Sequence, residues 1–214
     1  MKRFVSVLMV GMTVTVLMAC HTRAHAQDLE RVTESDPLAK QVLDYLMEGL
    51  KKVNDAPVKV EADTDKAVLL YNAGLDMGAA FLPHKGLSEE SIQKSDKEVA
   101  PLGVLFLYHL APAVDKKPVD KEKIRTISIS VEGQDIHVPT YYMGVKTEAE
   151  GKRHLLVYGK DNKEPLLKVS LDDKATDGDR PVIIEAKNVG SGEGTLNVNV
   201  LKKFQAVVPL KGTS

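Results

Sequence analysis

The sequence predicts a mainly β fold: an antiparallel β-sandwich-like domain with an N-terminal amphipathic helix and one short additional helix. Three observations carry this prediction. From residue 57 onward the apolar residues alternate with polar ones rather than recurring at helical spacing. Turn-forming clusters separate the apolar runs at short intervals, and beyond residue 101 no helical pattern stands between them.

The chain opens with a secretory signal. Lys2 and Arg3 supply positive charge, Phe4 to Ala19 form the apolar run, and small residues end the segment. That run is shorter than the roughly 20 residues a membrane-spanning helix needs, and Gly11, Thr13 and Thr15 dilute it. Two cleavage sites compete. Ala24-His25-Ala26 is a small-x-small site that would free Gln27, whereas Leu17-Met18-Ala19-Cys20 resembles a bacterial lipobox and would leave a lipid on Cys20. Cleavage after Ala26 is favoured because the site is clean, while Met18 fits the lipobox poorly. The protein is therefore expected to be exported, periplasmic or extracellular, or else lipid-anchored to the cell envelope through Cys20.

Removing residues 1 to 26 takes away three bases and no acids, leaving 26 basic and 30 acidic residues. This mixed, mildly acidic surface lacks the basic patch that nucleic acid requires. It gives no electrostatic reason to bind an anionic membrane either. Cys20 is the sole cysteine, so intrachain disulfides and thiolate metal sites are excluded and stability rests on packing. About 188 mature residues suffice for a real core.

Residues 27 to 56 read as the N-terminal helical segment. Ser35 or Asp36 can cap it, Pro37 suits its first turn, and Leu38, Val42, Leu46, Leu50 and Val53 line one face. That face should dock on the protein's own sheet, with recruitment of a partner as the alternative. Residues 57 to 214 form the β-rich domain. Val58, Val60 and Ala62 predict a half-buried strand, and the runs around Asn72-Ala73-Gly74 predict a hairpin ending at Pro83. Ser88 starts a short exposed helix. The run from Pro101 to Pro112 reads as a strand buried on both faces. The charged connector near 115–122 is either a long loop or a split between two subdomains. Residues 124 to 138 form a hairpin around Glu132-Gly133-Gln134-Asp135. Six more strands follow, the first at 140–147 and the last at 204–210, with Gly190-Ser191-Gly192 among the turns.

Catalytic motifs are not evident. Cys20, His21 and His25 cluster in sequence, but cleavage either removes them or leaves them in a tether. His84, His109, His137 and His154 are dispersed. His109 shares a face with Leu105 and Leu107 and reads as a core histidine, whereas His137 reads as solvated. Asp172, Asp173, Asp177 and Asp179 suggest calcium, but Ala175 and Ile184 stand where the loop motif needs ligands, so a solvated turn is preferred. Gly190 to Gly194 leads into a strand and so reads as a hairpin loop rather than a phosphate cradle. Tyr141 and Tyr142 must point to opposite faces and read as packing residues.

These readings converge on a non-enzymatic binding or envelope accessory protein, with no metal or cofactor assigned. Its expected partner is an envelope protein or small ligand, with no nucleic acid and membrane contact only through Cys20. The alternative is a small periplasmic hydrolase or metal-dependent enzyme assembled from dispersed His and acidic residues, such as His109 and His137.

Overall fold

The computed structural model describes residues 27–33, 36–131, 133–161 and 163–213. The signal segment, with both cleavage candidates Ala26 and Cys20, lies outside the described residues, as does Ser35. The chain from Gln27 folds as an antiparallel two-sheet sandwich with a helix laid over one outer face.

Strand β1 (Glu30–Arg31) precedes helix α1 (Pro37–Leu50). The Asp36 carboxylate accepts the Leu38 amide at 2.9 Å, closing one orphan donor of the first turn. The helix buries Ala39, Leu46 and Gly49. Gly49 brings the backbone close to the sheet, since a Cβ there would stand 2.8 Å from Ile127 Cδ1 and 3.0 Å from Ile129 Cγ2. The docked face is thus satisfied by the protein's own sheet.

Residues 58–62 do not form the expected strand. Only Ala62 makes a bridge, to His84. The reason lies in the neighbouring hairpin of β2 (Val68–Asn72) and β3 (Met77–Pro83): β4 (Ala100–Tyr108) holds one edge of β3, β2 holds the other as far as Phe81, and only the short end at Pro83 is left, where Pro83 O accepts the Asp63 amide at 2.8 Å. The alternating segment instead crosses the sheet's outer face, with Val58 buried near Gly144. Between β3 and β4, helix α2 (Glu89–Gln93) starts with a Ser88–Ser91 capping box.

The apolar run from Pro101 is two strands rather than one. β4 belongs to the larger sheet and β5 (Leu110–Val114) to the smaller, and the chain changes sheets at His109, whose φ is 55°. The charged connector after β5 is a tight hairpin to β6 (Lys117–Pro118). Asp115 and Lys116 both carry positive φ, 49° and 63°, the geometry that a two-residue primed turn requires.

Strands β7 (Arg125–Val131) and β8 (Gln134–Thr147) form the expected hairpin, and β8 runs unbroken through Pro139, fusing two expected strands. β9 (Arg153–Tyr158) pairs with the second half of β8, and β10 (Leu167–Ser170) completes the larger sheet in the order β1-β2-β3-β4-β8-β9-β10, with β7 beside β8. The smaller sheet runs β12 (Val182–Lys187), β13 (Glu193–Val200), β14 (Phe204–Gly212), β5, β6, with β11 (Asp172–Asp173) beside β14.

The core lies between the sheets, where Phe81, Leu105, Tyr141, Met143 and Val157 face Ile184, Leu196, Val198 and Val208. A second apolar layer, including Leu82, Phe106, Tyr142 and Tyr158, lies beneath α1 and residues 53–62. Tyr141 and Tyr142 therefore bury into different layers, as alternation demands. Residues 27–32 strap the two sheets together. Leu29 is buried in the inter-sheet core, its amide donates to Ala186 O of β12 at 3.0 Å, and Glu30 and Arg31 pair with Tyr71 and Leu70 of β2. Among the described residues no helix is long and apolar enough to cross a membrane.

Candidate functional site

Among the described residues, several chemically capable side chains converge where β2, the β2–β3 turn and the end of β4 meet. Tyr71 and Tyr108 both stand in register with Gly78 of the strand between them. Alternation puts both on the outer face, with Leu69 and Phe106. Because Gly78 has no side chain, the Tyr71 ring can lie over it: a Cβ there would sit 3.3 Å from Tyr71 Cδ2 and 3.2 Å from Leu70 O.

Both phenols reach one carboxylate. Tyr71 donates to Asp76 Oδ1 at 3.0 Å, and Tyr108 donates to Oδ2 at 3.4 Å. The His109 ring stacks on Tyr108 at a centroid separation of 4.0 Å. Its Nδ1 lies 2.8 Å from Asp76 O and 3.6 Å from Asp76 Oδ2. Asp76 (φ 51°) and His109 (φ 55°) both occupy the left-handed region, uncommon for residues other than glycine and more frequent at functional sites. Neighbouring bonds hold this backbone: Asn72 Oδ1 accepts the Leu75 amide at 3.1 Å, and His109 O accepts the Thr213 amide at 2.9 Å.

Electrostatics keep the phenols protonated. Burial, reinforced by the hydrogen bond to Asp76 and by its charge, pushes Tyr71 up to about 12. Tyr108 is raised by burial first and then by the charge of Asp76.

This geometry corrects the reading of His109. It is not a core histidine: its side chain is 46 % exposed, because the strand ends at Tyr108 and the left-handed turn swings the ring out of the alternation. The other histidines have separate local partners. His84 Nδ1 accepts the Glu61 amide at 3.0 Å. His137 is exposed, as expected, with Nδ1 3.0 Å from Ser128 Oγ. His154 Nδ1 lies 3.6 Å from Glu148 Oε2, and Lys168 binds the other oxygen of that carboxylate, holding Glu148 below the usual carboxylate range.

Asp173 pairs with Arg153 at 3.2 Å and Asp179 with Arg31 at 3.5 Å, while Asp172 accepts from Ser170, so these acids serve separate partners. Gly190 to Gly194 closes the β12–β13 hairpin, with Gly192 at φ 76°. Two open depressions, one of about 620 Å³ beside α2 and one of about 350 Å³ beside the strap, are lined by no histidine. Among the described residues, His, Cys, Asp and Glu form no group of three suited to a metal ion.

Sequence reasoning missed Tyr71, Asp76 and Tyr108. The one available signal was the Tyr108-His109 pair at the foot of an apolar strand, together with Asp76 at the end of a predicted hairpin turn.

No protein-family model, curated protein or solved structure matches the chain. Function must be argued from the site itself.

Proposed function

We propose that the protein is an exported, non-enzymatic binding module, an accessory of the cell envelope, whose ligand-facing region carries Tyr71, Asp76, Tyr108 and His109. One observation supports this reading above the rest: four polar side chains from three chain segments converge where the β2–β3 turn meets the end of β4, held by two left-handed residues, with no Ser, Thr, Cys or Lys nucleophile among them. The strap arrives at the same end, where Asp28 O accepts from Asn72 Nδ2 at 3.0 Å and Gln27 O accepts the Gly190 amide at 3.3 Å. Cleavage after Ala26 would thus start the mature chain at the site's edge.

Expression of the full chain in a bacterial host, with fractionation and mass spectrometry of the mature N-terminus, tests the export reading. A soluble exported protein starting at Gln27 is the expected result. Retention of residues 1–26 in the cytoplasm overturns export, and a diacylglyceryl Cys20 overturns the soluble form in favour of an anchored one.

A hydrolase is the second reading, favoured by the His154–Glu148 contact and by Ser170 standing opposite His154 across β9 and β10. Against it, the Ser170 hydroxyl donates to Asp172. Ester hydrolysis abolished by both His154→Ala and Ser170→Ala would establish it.

A further inference from the structure

We propose that Tyr71, Asp76, Tyr108 and His109 form a binding site for a hard trivalent metal ion, with ferric iron as its natural probe. This rests on the binding-module reading and names the ligand class of the same site.

The donor set is the first argument. One carboxylate, two phenol oxygens and one imidazole make a predominantly hard, oxygen-rich set, suited to a small, highly charged cation rather than to a soft one. Spacing is the second. Donors each bound about 2.1 Å from an octahedral metal stand about 3 Å apart along the polyhedron's edges. In this site Asp76 Oδ1 lies 3.0 Å from Tyr71 Oη, Asp76 Oδ2 lies 3.4 Å from Tyr108 Oη, and His109 Nδ1 lies 3.6 Å from Asp76 Oδ2. All three contacts share the Asp76 residue, so rotation of the four side chains about it would set their donors around one centre, and Gly78, in register with both tyrosines, places no side chain between them.

Charge is the third argument. With both phenols ionised, the ligands carry three negative charges and neutralise a trivalent ion. Each phenol gives its proton to solvent as the metal binds, so two protons leave per ion. His109 contributes Nδ1 in the tautomer that carries its hydrogen on Nε2, exchanging its contact with Asp76 O for the metal. Asp76 and His109 are 33 % and 46 % exposed, which leaves an approach from solvent and positions for water or a small anion.

The test uses the mature protein and ferric nitrilotriacetate. The wild type should develop a visible phenolate-to-iron charge-transfer band saturating at one equivalent. Tyr71→Phe and Tyr108→Phe should each weaken binding at least about tenfold and diminish the band. Tyr45→Phe, on α1, should leave it intact. Gallium nitrilotriacetate, which has no such band, should raise the unfolding temperature of the wild type by mass action. A folded wild type with no band, or a band unchanged in both tyrosine variants, overturns the proposal. If the variants fail to fold, the wild-type band and its stoichiometry decide it. None of these outcomes bears on the mature N-terminus, so export stands or falls separately.

Discussion

Replacing Arg125 with Met should cost about 3 kcal/mol of stability, a value set by the groups its guanidinium holds. Arg125 is a buried cation at the start of β7, 8 % exposed, lying 6.0 Å over the Tyr142 ring. It donates to Gly159 O at 3.2 Å, Lys160 O at 3.1 Å and Asp55 O at 3.2 Å, and to the Asp55 carboxylate at 2.6 Å. One side chain thereby fastens the segment after α1 and the loop after β9 to the sheet. Methionine keeps much of the stem's packing but leaves three carbonyls without their donor, at about 1 kcal/mol each. The carboxylate bond adds little, since the Asp55 side chain is 67 % exposed. Thermal and urea unfolding should show a loss of roughly 6–12 °C with an unchanged denaturant slope. Arg125→Lys should recover about a third of the loss, because an ammonium cannot reproduce the fork. Asp55→Asn should cost less than about 1 kcal/mol, leaving the carbonyl bonds in place. A cost below about 1 kcal/mol for Arg125→Met, or equal costs for Arg125→Met and Asp55→Asn, would refute the reasoning.

Other perturbations read out different layers of the structure. Gly103→Ala should destabilise by about 3 kcal/mol in thermal unfolding, because its Cβ would stand 2.4 Å from Leu82 O and 2.6 Å from Phe81 Cζ, at a φ of 157°. An effect within about 0.5 kcal/mol would show that β4, whose pairing with β8 shifts register between Pro101 and Gly103, relaxes freely there. Leu29→Ala should cost about 2–3 kcal/mol by urea unfolding, since Leu29 joins the strap to the inter-sheet core; a near-neutral result would mean that the strap is dispensable. Tyr71 should lend a pH-dependent stability. Its phenol is raised to about 12 in the folded state from 10.0, so the contribution is full below pH 10 and is lost as pH climbs through 12. After discounting for solvent screening that amounts to about 1 kcal/mol. The stability difference between wild type and Tyr71→Phe should shrink over that window, and a constant difference would contradict it.

Local chemistry made most elements legible. The cap at Asp36, the box at Ser88, the Asn72-Ala73-Gly74 turn, and the alternation of Ile127, Ile129 and Val131 each arise from neighbours in the chain. Residues 58–62 carry the same alternation yet form no strand, because pairing needs a free edge and β2 leaves β3 only its last residues, enough for a single bridge. His109 fits the inward pattern of β4 yet faces solvent, because the chain must leave one sheet for the other there.

Alternation, capping and turn residues act over a few positions, so the order of amino acids alone dictates a mainly β chain behind an amphipathic helix, with Tyr141 and Tyr142 committed to opposite faces. Strand partners, the strap of residues 27–32 and the meeting of Tyr71 with Tyr108 depend instead on contacts between residues far apart along the chain. Those came from the folded arrangement. Register across β2, β3 and β4 places two tyrosines 37 positions apart over one aspartate, and no local pattern encodes that distance.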